Sequence, residues 1–174
     1  MPTARGFSNL GSLHFFMGRY AEAATVFERA VAMEPGNYQL HYNLAGAYYW
    51  SPGLREKARA EYEAALRLGE AQLKVNENDA VLLAILADAQ AMVGAKERSR
   101  ELVGRALQVA PASAEARFRA ASTYEQLADR GAALRELQRA LELGYSWEQI
   151  QRDPGLAALR EDGRFKRLRT PGRG

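Results

Sequence analysis

One pattern of small and large residues recurs four times along the 174-residue chain and constrains its fold more than any other feature. Each occurrence has a small residue, a large residue four positions later and a small residue three positions after that. The four trios are Ala23, Phe27 and Ala30; Ala58, Tyr62 and Ala65; Ser99, Val103 and Ala106; and Ala133, Leu137 and Ala140. Steps of four and three residues place each trio on one face of an α-helix. The sequence therefore predicts four equivalent helices.

A second helix is predicted before each of these four. Its marker is a dipeptide with a small second residue, at Leu10-Gly11, Leu44-Ala45, Leu86-Ala87 and Ala120-Ala121, with leading positions 34, 42 and 34 residues apart. A single helix pair is too small to bury its apolar face, so stacked pairs must supply the core. The pattern predicts an all-α chain of four stacked helix pairs.

This pattern resembles the tetratricopeptide repeat (TPR) family, a helix–turn–helix unit of about 34 residues. The first unit carries the fullest match, at Leu10, Gly11, Gly18, Tyr20, Ala23, Phe27, Ala30 and Pro35. The resemblance covers residues 4–144 and implies a right-handed α-solenoid of about four helix pairs. The four units are predicted at about 4–37, 38–79, 80–113 and 114–144. The array also looks similar to TPR arrays in bacterial multidomain regulatory proteins.

Seven additional residues follow Ala65 before the third unit resumes the pattern. The segment 54–75 has no proline, and Gly69 is its only helix breaker. We therefore predict one long helix there, about 33 Å at 1.5 Å per residue. The alternative is a loop after Gly69.

The sequence predicts helices that cover the apolar face of the array at its C-terminal end but not at its N-terminal end. Residues 145–168 contain spaced apolar side chains and an Asp153-Pro154 helix start, so we predict capping helices there. Residues 169–174 are predicted to be a basic, disordered tail. At the other end Leu10 and Leu13 begin almost at once without a cover, which predicts either further repeats upstream or an interface.

Charge and composition narrow the function classes. Five positive charges lie in the last eleven residues without an acid, at Arg164, Lys166, Arg167, Arg169 and Arg173, so the basic pI of 9.3 belongs to the tail. We interpret this tail as a solvated end and do not expect a nucleic-acid partner, although RNA binding through it stays an alternative. No apolar run approaches the length of a membrane span, and we expect a cytoplasmic location.

The sequence offers little for catalysis or for cofactors. The chain has no cysteine and two histidines, His14 and His41, which are expected to pack. No histidine motif has metal-ligand spacing, and no glycine-rich loop could hold a phosphate. We expect no enzyme activity, no metal and no cofactor.

The TPR resemblance implies a concave groove lined by the first helix of each pair. Nine candidate ligand-binding residues share that register: Asn9, Phe16, Tyr42, Asn43, Tyr49, Trp50, Asp88, Phe118 and Arg119. Tyr48 belongs to the predicted core. For Tyr49 and Trp50 the alternative is packing against the turn at 51–53, and for the two asparagines it is a solvated helix face.

We therefore predict a non-catalytic scaffold that binds a peptide or helix of a protein partner in this groove. Side-chain amides both donate and accept hydrogen bonds, so Asn9 and Asn43 are expected to pair with a ligand backbone. The alternative is a self-associating or regulatory arm of a larger bacterial signalling protein, with homo-oligomers formed through the N-terminal face.

Overall fold

The computed structural model describes residues 2–168, and every regular element within that range is helical. The α-helices are α1 (Ala4–Phe16), α2 (Tyr20–Met33), α3 (Tyr38–Trp50), α4 (Arg55–Leu73), α5 (Ala80–Val93), α6 (Lys96–Val109), α7 (Ala114–Gln126), α8 (Arg130–Glu142), α9 (Trp147–Arg152) and α10 (Ala157–Arg160). Short 3₁₀ helices lie at Pro154–Leu156 and Phe165–Arg167. The predicted all-α class, with four helix pairs and a C-terminal helical cap, is confirmed. The tail predicted at 169–174 lies outside the described residues.

The chain divides into two compact units, Met1–Val75 and Asn76–Gly174. In the first unit α1 packs on α2, α2 on α3, and α3 on α4. In the second unit α5 packs on α6, α7 packs on α8, and α7 also contacts α5 and α6. Each unit thus contains two helix pairs, and the second also contains the C-terminal segment.

All twelve residues of the four trios are buried, so the trios lie in the interior of the helix pairs. The one polar member, Ser99, donates its hydroxyl proton to the carbonyl of Ala87 at 2.7 Å. Opposite Phe27 lies Gly11 of α1, where an added Cβ would lie 2.7 Å from the ring of Phe27. The small residue of the first dipeptide is therefore required by the large residue of the first trio.

The long helix predicted after residue 54 is confirmed as α4, which has 19 residues where α1, α2 and α3 have 13 or 14. It is about 28 Å long at 1.5 Å per residue. Gly69 is buried within the helix, and the buried side chains of Leu66 and Leu73 continue its apolar face on either side. A glycine inside a helix costs only about 1 kcal/mol, which this packing offsets.

In the second and fourth helix pairs, a basic side chain of the first helix contacts the proline carbonyl of the turn that precedes the pair. His41 lies with Nδ1 2.6 Å from a Glu61 carboxylate oxygen and Nε2 3.0 Å from the Pro35 carbonyl. Arg117 donates to the Pro111 carbonyl at 2.8 and 3.1 Å and to Glu136 at 2.6 Å. The sequence predicted packing for His41 and did not single out Arg117.

The C-terminal segment covers the apolar side of α8. Ile150, Leu156, Leu159 and Phe165 are buried in one cluster with Leu134, Leu137 and Leu141 of that helix. Asp153 starts the 3₁₀ helix by accepting a hydrogen bond from the Gly155 N–H at 2.8 Å. Burial raises the pKa of its carboxyl, and the Gly155 N–H opposes that shift.

Removing the carboxyl group of Asp153 is expected to destabilise the C-terminal segment. Asp153→Ala should lower the free energy of unfolding by about 1–2 kcal/mol, since it leaves the Gly155 N–H without its acceptor. Urea unfolding followed by circular dichroism measures the change. Glu161→Ala, an exposed change in the same segment, is the control and should stay within about 0.5 kcal/mol. Equal effects of the two substitutions would contradict a capping role for Asp153.

Candidate functional site

Five aromatic side chains of the first unit form a chain of ring-to-ring contacts. We call Phe15, Phe16, Tyr20, Tyr49 and Trp50 the aromatic cluster. Its ring centroids form a chain, with separations of 6.3 Å, 5.1 Å, 6.4 Å and 5.1 Å in the order Phe16, Phe15, Tyr20, Trp50 and Tyr49. Tilted and edge-to-face arrangements like these are favourable for aromatic rings. The cluster thus brings three of the predicted site residues together through two that were not predicted.

The cluster forms because three helix ends meet. The helix α1 ends at Phe16, α2 begins at Tyr20 and α3 ends at Trp50. Gly46 of α3 faces Phe15, since an added Cβ would lie 3.8 Å from that ring, at an ordinary van der Waals distance. The left-handed backbone of Gly18, with φ of +74°, turns the chain between the first two helices.

The aromatic cluster is only partly buried. Phe16 is 52% exposed, and the other four rings are half-buried. Arg55, the first residue of α4, lies with its guanidinium carbon 4.1 Å from the centre of the Tyr49 ring and also donates a hydrogen bond to the Tyr49 hydroxyl. Tyr49 is therefore held against the residues that follow the 51–53 turn. Trp50 lies between Tyr20 and Tyr49 with part of its ring on the surface.

Asn9 and Asn43 each precede an aromatic residue of the cluster by seven positions, at Phe16 and Trp50 respectively. Seven residues are two helical turns, or about 10.5 Å along one face. Asn9 is exposed and Asn43 is half-buried. Both α1 and α3 therefore combine a side-chain amide and an aromatic ring on the same face.

Two other tyrosines of α3, Tyr42 and Tyr48, point toward packed surfaces. The ring of Tyr42 lies 6.0 Å from that of Tyr62 in α4. Tyr48 is buried, as predicted, and donates its hydroxyl proton to Glu28 of α2 at 2.6 Å. Burial and this hydrogen bond raise the pKa of Tyr48 above its usual value.

The raised pKa of Tyr48 predicts a loss of stability in alkali. The hydroxyl ionises more readily in the unfolded chain, so the stabilisation is complete below about pH 10, the ordinary value, and is lost as pH rises above it. We expect the free energy of unfolding, measured in urea between about pH 8 and pH 11, to fall less steeply for Tyr48→Phe than for the wild type. The same slope in both proteins would contradict this assignment.

The other three predicted site residues belong to the second unit, and each has a partner there. Asp88 is buried and accepts a hydrogen bond from the Gln126 amide at 2.9 Å. Arg119 pairs with Glu115 at 2.7 Å. Phe118 stacks on Tyr145 with ring centroids 4.3 Å apart and planes 12° apart. These residues are thus not members of the aromatic cluster.

Sequence reasoning missed Phe15, Tyr20 and Arg55. Tyr20 matched a structural position of the family, and Phe15 lies beside the predicted Phe16 on a different face of α1. The available signal was the concentration of aromatic residues at the ends of α1 and α3.

Residues 2–168 contain neither a cluster of metal-ligating side chains nor a helix suited to cross a membrane. No three His, Asp or Glu side chains in that range lie together as a metal site would require. None of the helices there combines the length and apolar character needed to cross a bilayer.

The paired helices with buried trios define an α-helical repeat protein. Two segments match family models of the tetratricopeptide repeat, at residues 17–67 and 114–143. These two segments are identified as tetratricopeptide repeats. No curated protein matches the sequence.

One solved structure in particular supports the same fold. It is a thermophilic TPR protein from Thermus thermophilus, 22% identical, with 95% of this chain and 86% of that chain covered and a TM-score of 0.57. Two other similarities are weaker in structure. MamA MSR-1 C2 is 20% identical over 82% of this chain and 77% of its own, with a TM-score of 0.45. YrrB, described as a TPR protein with an unusual peptide-binding site, is 17% identical over 81% and 86%, with a TM-score of 0.39.

Proposed function

We propose that this chain is a non-catalytic protein–protein interaction scaffold that binds a peptide or helix of a protein partner on the aromatic cluster. The two segments that match tetratricopeptide repeat models support the general class of protein interaction. One observation supports this particular site: Phe16 and Trp50 are partly exposed although they belong to a connected set of rings.

The arrangement of the rings suits a binding surface. Aromatic side chains supply large contact areas and dominate the energetics of many interfaces. Trp50 is held between Tyr20 and Tyr49, so it loses little rotamer freedom when a ligand binds. A ligand side chain that covers the exposed part of Trp50 and Phe16 would remove apolar surface from water without rearranging the helices.

The two asparagines supply the polar part of the proposed site. An extended peptide rises about 3.3 Å per residue, so three residues span the roughly 10 Å between Asn43 and Trp50. A ligand whose backbone pairs with the Asn43 amide would place a side chain against Trp50 three residues away. Asn9 and Phe16 repeat the same arrangement on α1, which favours an extended ligand that runs along the helices rather than across them.

The second unit contributes to this proposal less directly. Phe118 has one ring face stacked on Tyr145, and Arg119 and Asp88 already have polar partners. We keep the three as candidate contacts of the second unit by itself, with Arg119 orienting a ligand there.

A peptide-display selection on the intact chain tests the proposal. Each selected peptide is then offered to wild type and to Trp50→Ala. The proposal expects selected peptides that carry an apolar or aromatic residue and that bind the variant poorly. Selected peptides that bind both proteins equally would overturn the assignment of this surface.

The alternative, a self-associating or regulatory arm of a larger protein, is favoured by exposed apolar residues on α1. Light scattering during size-exclusion chromatography separates the two functions. A peptide-binding scaffold is expected to be monomeric at all concentrations, whereas a self-associating arm forms dimers or larger species that Leu10→Glu or Leu13→Glu disrupts.

A further inference from the structure

An open groove with a volume of about 720 Å³ lies in the second unit, between α8 and the end of the C-terminal segment. We call it the α8 groove. Its lining residues on α8, from Gly131 to Glu142, recur at intervals that place them on one helical face. Arg164 and Leu168 of the C-terminal segment complete the lining. The volume falls within the range of about 300–1,000 Å³ that is usual for ligand sites.

The floor of the α8 groove is apolar. Leu134 is 7% exposed and belongs to the buried cluster that joins α8 to the C-terminal segment. Leu168 is half-buried and packs against the same cluster. The floor is therefore continuous with the core of the second unit, and a ligand side chain that covers it removes apolar surface from water.

Two arginines beside this floor have no acidic partner. Arg135 and Arg139 are exposed, and neither forms an ion pair within residues 2–168. By contrast, Arg130 pairs with Glu125 at 2.9 Å, and Arg164 pairs with Asp162 at 2.8 Å. The guanidinium of Arg135 lies back along the helix, with Nη1 3.7 Å from the position that a Cβ of Gly131 would take.

The lining of the α8 groove carries more positive than negative charge. Among its described residues Glu142 is the one carboxylate, and it already accepts a hydrogen bond from the Gln138 amide at 3.1 Å. Arg135 and Arg139 therefore remain available for an acidic ligand. A guanidinium can bind a carboxylate through two parallel hydrogen bonds, which are stronger than hydrogen bonds between neutral groups.

Charge and polarity select among the possible occupants. The residues that follow Leu168 in the sequence, RTPGRG, contain two arginines and no acidic side chain, so they carry the same sign of charge as the groove. A nucleic-acid backbone offers phosphates to the arginines, but it offers no apolar group to Leu134 and it meets the carboxylate of Glu142. A peptide that combines carboxylates with an apolar side chain matches both parts of the groove.

We propose that the α8 groove binds an acidic peptide segment of a partner protein. Arg135 and Arg139 are one helical turn apart, about 6 Å along α8, and alternate side chains of an extended peptide lie on one face about 6.6 Å apart. Two carboxylates two positions apart can thus pair with the two arginines, while an apolar side chain covers Leu134 and Leu168. This surface is separate from the aromatic cluster of the first unit and goes beyond the proposed function.

An array of synthetic peptides tests the proposal on the intact chain. The groove extends about 16 Å along α8, which corresponds to about five residues of extended peptide, so peptides of about seven residues span it. Each peptide contains two glutamates two positions apart and one Leu, Ile or Phe at a varied position. Peptides that bind the labelled chain are then titrated by fluorescence anisotropy at physiological salt.

We expect the double variant Arg135→Gln with Arg139→Gln to weaken binding at least tenfold. The matched control is Arg67→Gln with Lys74→Gln, which removes the same net charge from exposed positions at the C-terminal half of α4 and should change the affinity less than about twofold. Replacing the apolar residue of the peptide by serine should also weaken binding severalfold. All four substituted positions are exposed, so the variants keep the fold, which circular dichroism checks. Trp50→Ala is expected to bind these peptides as the wild type does, which separates this test from that of the aromatic cluster.

Three results would overturn the proposal. The first is an array in which no peptide binds. The second is an equal loss of affinity in the double variant and in the α4 control, which would indicate general attraction between charges. The third is tighter binding of a short oligothymidylate than of any peptide, lost in the double variant, which would assign the α8 groove to nucleic acid.

Discussion

Phe27→Ala is expected to lower the free energy of unfolding by about 3–5 kcal/mol, the usual cost of removing a buried phenylalanine. Phe27 is 2% exposed and fills the space between α1 and α2 opposite Gly11. The substitution removes a whole ring from that space and leaves a cavity that the helices can close only in part. Urea unfolding of the variant and the wild type, followed by circular dichroism, measures the loss.

A double-mutant cycle with Gly11→Ala locates the effect in this contact. In the wild type the added methyl group would lie 2.7 Å from the Phe27 ring, so Gly11→Ala alone should destabilise the protein although alanine favours helix. In the Phe27→Ala background the same methyl group enters the cavity. We therefore expect the double variant to be more stable than the sum of the two single changes predicts. Strict additivity would contradict the direct packing of Phe27 on Gly11.

Trp50→Ala is expected to weaken binding of a selected peptide about 30-fold or more. Hot-spot residues of this type contribute about 2 kcal/mol or more, and about 1.4 kcal/mol corresponds to a factor of ten in affinity. The variant loses the exposed part of the indole and also the contacts that hold Tyr20 and Tyr49 in place. Isothermal titration calorimetry with peptides from the display selection measures the change.

Two further variants make this result specific. Phe118→Ala tests the separate candidate contact of the second unit, and a smaller loss is expected because one face of that ring is already stacked on Tyr145. Thr25→Ala, an exposed change on α2, is the control and should leave the affinity unchanged. An affinity of folded Trp50→Ala equal to that of the wild type would remove Trp50 from the binding site.

The helix pairs and their cores could be predicted from the sequence because they depend on local periodicity. The trios fix which face of each helix is buried, and the proline-free segment after Leu54 indicates the long helix α4. Tyr48 was assigned to the core by the same register, and it is buried. These features require only the helical period and the preference of apolar side chains for the interior.

The aromatic cluster could be predicted only in part, because its contacts depend on how the helix ends are oriented. The turn at Gly18 brings Tyr20 back to Phe15, and Arg55 reaches Tyr49 only after the 51–53 turn. The stacking of Phe118 on Tyr145 similarly depends on the loop that follows α8. Helical register alone places residues on a face, but it does not show which of them already have an intramolecular partner.

The most direct test of the proposed binding surface uses the two tryptophans of the chain, Trp50 and Trp147. Their indole N–H signals are followed by ¹H–¹⁵N NMR while a selected peptide is added. Trp147 is an internal reference, since it stacks on Phe165 in the C-terminal segment. A saturable shift of the Trp50 signal with an unchanged Trp147 signal is the predicted result. Saturable peptide binding that shifts Trp147 alone, or neither signal, would contradict binding at the aromatic cluster.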